Sequence, residues 1–368
     1  MNRRNFLMSS AVAAQAVVGQ SPNSQVGTAI IGVGNRGSYL LTGVMAQPNT
    51  RVVALCDTKP DRLDKAATAA AKSNPATTAE YHKILERKDV DAVFIATPPY
   101  LHAEMAVAAL KAGKHVYCEK PIGLTASAVW EVVKAARQSS RVFQSGQQMR
   151  SFRQMGEAVR KIHEGAIGDV LFVKAQRHGS ADLDHNGPSA DWYFDVNKSG
   201  GYLIEMSVHN LDACNWAIGQ HPIRAAGFGG VNLYKNSPVG RDIMDHCSIT
   251  YEYPNGVKMS FTQLVYHPGS LPSGGQMIHV YGSKGAVELL NTTTFYPLDK
   301  NSKPSILAEK VEEPSDAHIT AFYNCIQKGE KSPADVVVGA TAALTAILGH
   351  EACRQEKVVN WSSFGVDI

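Results

Sequence analysis

The run Ala29-Ile30-Ile31-Gly32-Val33-Gly34-Asn35-Arg36-Gly37 decides how this chain is read. Three apolar residues, the pattern of a buried parallel strand, lead directly into a complete G-x-G-x-x-G. A helical pattern follows over 38–46, then a second apolar strand, Arg51-Val52-Val53-Ala54-Leu55-Cys56, closed by Asp57. That acid stands 20 residues beyond Gly37. The glycines alone are a weak signal. Strand before, helix after and an acid at this distance make them a dinucleotide-binding signature. Gly32 permits the tight turn, and Gly34 lets a pyrophosphate approach the backbone at a helix N-terminus. Gly37 lets helix and strand pack closely. Asn35 and Arg36 complete the turn and join these glycines as candidate cofactor contacts. Asp57 can accept hydrogen bonds from both ribose hydroxyls and would repel a 2′-phosphate. NAD is therefore expected over NADP, with Lys59 and Arg62 pulling the other way.

The alternation continues. Asp91-Ala92-Val93-Phe94-Ile95-Ala96-Thr97 is a buried strand broken by Pro98 and Pro99, with a helix over 102–112 stopped by Gly113. His115-Val116-Tyr117-Cys118 follows, then Glu119-Lys120-Pro121, a helix over 126–139 and a strand over 141–145. This order implies a doubly wound parallel sheet, whose ligand lies outside the carboxyl ends of the strands. The glycine turn, Thr97-Pro98 and Glu119-Lys120-Pro121 all fall at such ends.

Length and composition set the frame. At about 150 residues per domain, 368 residues imply two domains. A hydrophobic fraction of 44% and a charged fraction of 19% exclude disordered, collagen-like and coiled-coil chains. The net charge of +3, with no long basic run, excludes nucleic acid as a partner. Six cysteines without a C-x-x-C pair exclude a disulfide scaffold and a zinc ribbon. Cys56 and Cys118 end apolar runs, as buried free thiols do. Arg3-Arg4 followed by an uncharged, alanine-rich stretch over 6–19 resembles a twin-arginine export signal. That stretch is too short to span a bilayer stably. Residues 1–25 are therefore expected to be signal and linker, and the chain periplasmic or secreted.

Two further motifs carry a resemblance. One runs Ala96-Thr97-Pro98-Pro99-Tyr100-Leu101-His102 and then Ala112-Gly113-Lys114-His115-Val116-Tyr117-Cys118-Glu119-Lys120-Pro121. The other is Gly200-Gly201-Tyr202-Leu203-Ile204-Glu205-Met206-Ser207-Val208-His209-Asn210-Leu211-Asp212. Together they resemble the glucose–fructose oxidoreductase / inositol dehydrogenase (Gfo/Idh/MocA) family over nearly all of 26–368. The resemblance implies an NAD-binding Rossmann domain over 26–146 and an α+β domain over 147–368 for substrate binding and oligomerisation. It also implies Lys120 and His209 flanking the substrate beside the nicotinamide, with His102 near that end of the cofactor and Thr97, Pro98 and Glu119 along it. The family's acid four residues before the histidine is usually Asp. Here it is Glu205, which reads either as a catalytic group or as a structural partner of Lys120 or His209. Elementary chemistry agrees. Oxidising a secondary alcohol needs a base near neutral pH and a donor for the developing negative oxygen.

In the second half, strands are expected over 170–177, 223–234, 247–253, 257–265, 278–281 and 286–290. Pro254-Asn255-Gly256 and Ser283-Lys284-Gly285 read as turns. Together they give an open, mainly antiparallel sheet, backed by one helix over 202–218 that places Glu205 and His209 on a shared face. In the resembled family such a sheet often forms a homo-oligomer interface. Two helices after Asp316 are expected to fold back on the first half. Arg177, Asp191, Trp192 and Asp212 are substrate-contact candidates. Asp182, Asp184 and His185 match no metal-site spacing, so no metal is expected.

Three functions follow. The first is an NAD-dependent oxidoreductase acting on a secondary hydroxyl of a sugar, glycoside or cyclitol, with tightly held cofactor. The second is an NAD-dependent glycoside hydrolase using transient oxidation at C3, elimination, water addition and re-reduction. Against it, the well-known branch has a tyrosine where this chain has Met206. The third, a sugar-binding protein without catalysis, conflicts with intact Lys120 and His209.

Overall fold

Strand β1 (Val26–Ile31) is buried along its whole length, as a strand covered on both faces must be. The computed structural model describes residues 25–180, 187, 189–272, 274–312 and 314–368. The expected export segment up to residue 24, and Asp182, Asp184 and His185, lie outside the described residues.

Strand β1 is joined by β2 (Thr50–Cys56), β3 (Ala76–Thr78), β4 (Ala92–Ile95), β5 (His115–Cys118) and β6 (Phe143–Ser145). All pair in parallel, in the order β3-β2-β1-β4-β5-β6. The order reverses between β1 and β4, which opens a crevice beyond their carboxyl ends. The helix after β1 is Asn35–Ala46, starting three residues before the hydrophobic periodicity does. It starts early because the glycine turn delivers the chain directly into the first helical turn.

A second sheet has nine strands. They are β7 (Val170–His178), β8 (Arg224–Gly230), β9 (His246–Glu252), β10 (Lys258–Leu264), β11 (Gln276–Gly282), β12 (Gly285–Glu288), β13 (Thr294–Pro297), β14 (Ser305–Ile306) and β15 (Val359–Asn360). Their order is β14-β13-β12-β11-β7-β10-β9-β8-β15. Every pairing is antiparallel except β7 with β10. Met259 and Phe261 are buried while Lys258, Ser260 and Thr262 face the open side. The fold is thus the expected α/β class, with a parallel Rossmann sheet and a mainly antiparallel second sheet.

Two expectations about elements are corrected. The strand expected over 223–234 stops at Gly230, because the Asp245 carboxylate captures the N–H groups of Asn232, Leu233 and Tyr234 and turns the chain away. The single helix expected over 202–218 is two, Gly201–Glu205 and Val208–Ile218. The N–H groups of Met206 and Ser207 both donate to the Tyr202 carbonyl, at 2.9 and 3.0 Å. That widened turn swings Glu205 out of register with His209.

The C-terminal helices do return to the first sheet. Helix Ala317–Lys328 places Ile319, Phe322 and Tyr323 in the core with Leu40, Phe94 and Tyr117. Helix Val336–Gln355 is long and apolar enough to cross a bilayer, yet most of it is buried here. It packs against helix Ala126–Gln138 and β6 on one side, and β8 and helix Val208–Ile218 on the other. All six cysteines are free and buried.

Candidate active site

The crevice is a cleft of about 800 Å³ running from the glycine turn to His209. At the first end Gly32 has φ +85°, and a Cβ there would meet the Ala96 carbonyl oxygen at 2.7 Å. A Cβ on Gly37 would meet the Gly32 oxygen at 1.8 Å. On Gly34 it would touch only the end of the Arg62 side chain, at 3.4 Å, so this wall is open toward the cleft. Asp57 closes that end, its carboxylate accepting from the N–H groups of Val33 (2.8 Å) and Lys59 (2.9 Å). An open backbone cradle at a helix N-terminus, followed by a carboxylate, fits a dinucleotide.

Midway, Arg36 turns inward and pairs with Glu119 at 2.7 Å, while its Nη2 donates to Gln148 at 2.8 Å. Burial alone would push the Glu119 carboxyl up. Arg36 and Lys120 outweigh it and hold it below the ordinary carboxylate value. Thr97 and Pro98 line the same wall. His102 is 1% exposed, and both ring nitrogens face carbonyl oxygens, Pro121 at 2.7 Å and Thr97 at 2.8 Å. It therefore braces two loops of the wall through its ring nitrogens, while lining the same cleft.

At the far end Lys120 Nζ donates to the Glu205 carboxylate at 2.6 Å and to its main-chain carbonyl at 2.5 Å. The second carboxylate oxygen accepts from the Tyr193 hydroxyl at 3.2 Å. An ammonium has three N–H bonds, so one remains for a ligand. His209 lines the cleft beside this pair. Its Nδ1 lies 3.1 Å from Gln147 Oε1. Burial first, then the cations Lys120, Arg177 and Arg36, hold its pKa well below the ordinary imidazole value. In the neutral ring, Nδ1–H donating to Gln147 leaves the Nε2 lone pair free.

The other candidates divide. Asp191 and Trp192 stand on the cleft wall, in the short helix Ala190–Tyr193, and Asp191 reaches Lys59 across the opening at 3.8 Å. Asp212 is not a substrate contact. It is 1% exposed and locked to Arg150 by hydrogen bonds of 2.9 and 2.7 Å. Arg177, near the end of β7, is half-buried within electrostatic reach of Glu205 and His209, donating to Gln276 at 2.6 Å and to Asn210. The sequence reading missed Gln147, Gln148 and Tyr193. The first two belong to the loop after β6, which carries no motif. Only the position of Tyr193 beside the two aromatic and acidic candidates hinted at a role.

A parallel sheet with a dinucleotide cradle, and a lysine and a neutral histidine at the cleft's far end, define a nicotinamide-dependent oxidoreductase. Residues 26–147 match the oxidoreductase family with an NAD-binding Rossmann fold, and 155–288 match the GFO/IDH/MocA C-terminal domain. The chain belongs to the Gfo/Idh/MocA family, and its cofactor is NAD. It is 29% identical to inositol 2-dehydrogenase of Rhizobium meliloti over 265 residues, 71% of this chain and 74% of that protein. It is 34% identical to a glycosyl hydrolase family 109 protein of Stenotrophomonas maltophilia over 255 residues, 65% of this chain and 54% of that one. Its fold is shared with levoglucosan dehydrogenase in complex with NADH and levoglucosan. There the TM-score is 0.78 at 20% identity, with 92% of this chain and 99% of that one covered.

Proposed function

We propose that this protein oxidises a secondary hydroxyl of a sugar, glycoside or cyclitol. The observation that carries the reading is Lys120, with one N–H unspent, beside a His209 that is neutral at physiological pH. When bound, NAD supplies the acceptor for the hydride leaving the carbinol carbon. Lys120 donates to the reacting oxygen and stabilises its developing charge. His209 Nε2 takes the hydroxyl proton. Glu205, with both oxygens engaged by Lys120 and Tyr193, positions the ammonium. Asp57 favours NAD over NADP, and Trp192 and Asp191 face the sugar ring. The domains divide near residue 146.

We assign the chain to the periplasm or exterior, on the Arg3-Arg4 segment, with cofactor retained in the cleft. A second copy would cover the open side of the second sheet, where Phe172, Tyr281 and Tyr296 are exposed. The test is turnover across a panel of sugars, cyclitols and glycosides, read by nicotinamide absorbance and product analysis. Ketone formation that is lost in Lys120→Ala and His209→Ala supports the reading. Release of a free aglycone with no net reduction of NAD would replace it with the hydrolytic one. Met206 on the cleft wall, a side chain without acid–base chemistry, weighs against that outcome.

A further inference from the structure

Around the reaction end of the cleft the charges pair one against one. Lys120 meets Glu205, Arg36 meets Glu119 and Arg150 meets Asp212. Arg177, near the end of β7, meets no carboxylate among the described residues. Among the described residues its hydrogen bonds run only to neutral amides, Gln276 Oε1 at 2.6 Å and Asn210 Oδ1 at 3.5 Å. Both bonds come from Nη1. The Nε–Nη2 edge, the side that takes a carboxylate with two parallel bonds, has no acceptor among the described residues.

Arg177 is half-buried, and burial lowers its pKa even though Glu205 and Tyr193 lie within electrostatic reach. Its charge is also felt by His209. A half-buried guanidinium with no carboxylate hydrogen-bonded to it can take one from a ligand through two parallel bonds. Beside it, Asn210 Nδ2 is buried without an acceptor among the described residues. Two donors near His209, the Nε–Nη2 edge of Arg177 and Asn210 Nδ2, thus lack acceptors among the described residues.

We propose that Arg177 recognises a carboxylate carried by the substrate, so that the sugar oxidised is an acidic one, of the uronate or sialate kind. The inference rests on the reading of Lys120 and His209 given above and adds the substrate class to it. The carboxylate sits on the Nε–Nη2 edge, and the reacting hydroxyl lies between Lys120 and His209.

The test is calorimetric titration of the NAD-loaded full chain with matched pairs. These are methyl glucuronoside against methyl glucoside, galacturonate against galactose, and N-acetylneuraminate against its methyl ester. At least one acid is expected to bind about tenfold tighter than its neutral partner, a difference of about 1.4 kcal/mol. Arg177→Gln, checked for an unchanged melting curve, brings that pair within about twofold. Arg177→Lys retains part of the preference, because it keeps the charge without the fork. No acid binding better than its neutral partner overturns the proposal, as does a preference that survives Arg177→Gln. Oxidation of a neutral sugar that depends on Lys120 and His209 but not on Arg177 would discard the acidic substrate and leave the oxidoreductase reading standing. Arg177-dependent binding of an acid with no oxidation would do the reverse.

Discussion

Lys120 and Glu205, 85 positions apart in sequence, are joined twice, through the carboxylate at 2.6 Å and through the carbonyl of the same residue at 2.5 Å. The pair ties the loop after β5 to the end of helix Gly201–Glu205, one from each sheet's layer. The geometry leaves the ammonium one direction in which to donate, into the cleft.

Removing that donor should therefore cost rate more than affinity. Lys120→Met is expected to lower kcat by about 10²–10³ with KM changed little, the size seen when one preorganised donor to a developing oxyanion is lost. Glu205→Gln keeps the shape and loosens the ammonium, so a smaller loss is expected. Steady-state kinetics on an identified substrate measures both, and an unchanged kcat in Lys120→Met would remove the lysine from the chemistry.

His209 sets the pH profile. Its pKa lies well below the ordinary 6.5. The basic form is thus already present at pH 6.5, and kcat/KM should fall only as pH drops further. Gln147→Glu places a negative charge 3.1 Å from Nδ1 and favours the imidazolium. The acid limb should then move to higher pH. A limb that does not move between the two proteins would mean that another group titrates.

The glycine turn and the strand ends were legible because their constraints are local. Gly32, Gly37 and Asp57 each act within one strand–turn–helix unit. Partners brought together only by the tertiary fold were not legible. Arg150 claims Asp212 from 62 positions away, and Gln147 meets His209 across the same separation. The break at Met206-Ser207 also escaped the reading, since hydrophobic periodicity runs through both helices without interruption. The short strands β3, β13, β14 and β15 offer too few residues for an alternation to register. Three of them, β3, β14 and β15, are edge strands, and β15 pairs with β8 from more than 130 positions away.

The two glycines should separate folding from cofactor binding. Gly37→Ala forces a methyl against the Gly32 backbone oxygen and should destabilise the chain by more than about 3 kcal/mol. Gly34→Ala meets only the flexible tip of Arg62, so its denaturation midpoint should stay near the wild-type value while NAD affinity drops. Paired denaturation and NAD titration decide. Equal NAD affinity in Gly34→Ala would place the dinucleotide elsewhere.

Asp212 is expected to matter for folding alone. Asp212→Ala strands the Arg150 guanidinium, which is 12% exposed, and should cost about 3–5 kcal/mol. KM of the folded fraction should stay at the wild-type value. A raised KM at unchanged stability would return Asp212 to the substrate site.

Acid should unfold the chain through its histidines. His318 is 3% exposed and its pKa is pushed down to about 4, by burial first and then by Arg36. Below the unfolded value of 6.5 the unfolded chain binds the proton and the folded chain does not. Stability is therefore complete above pH 6.5 and declines as pH falls toward 4. At pH 5 the loss from His318 is of order 2 kcal/mol. The buried His102 and the lowered His209 act in the same direction. Urea denaturation at pH 7.5 and 5 measures the difference, and His318→Gln should shrink it.

Oxidation in this cleft requires a secondary alcohol carbon presented to NAD between Lys120 and His209. Single-turnover absorbance with a substrate deuterated at that carbon, in wild type and in Lys120→Ala/His209→Ala, tests it most directly. A reduced-nicotinamide signal is expected in the wild type, slowed by deuterium, and none in the double variant. A signal of the same rate and size in both proteins would contradict it.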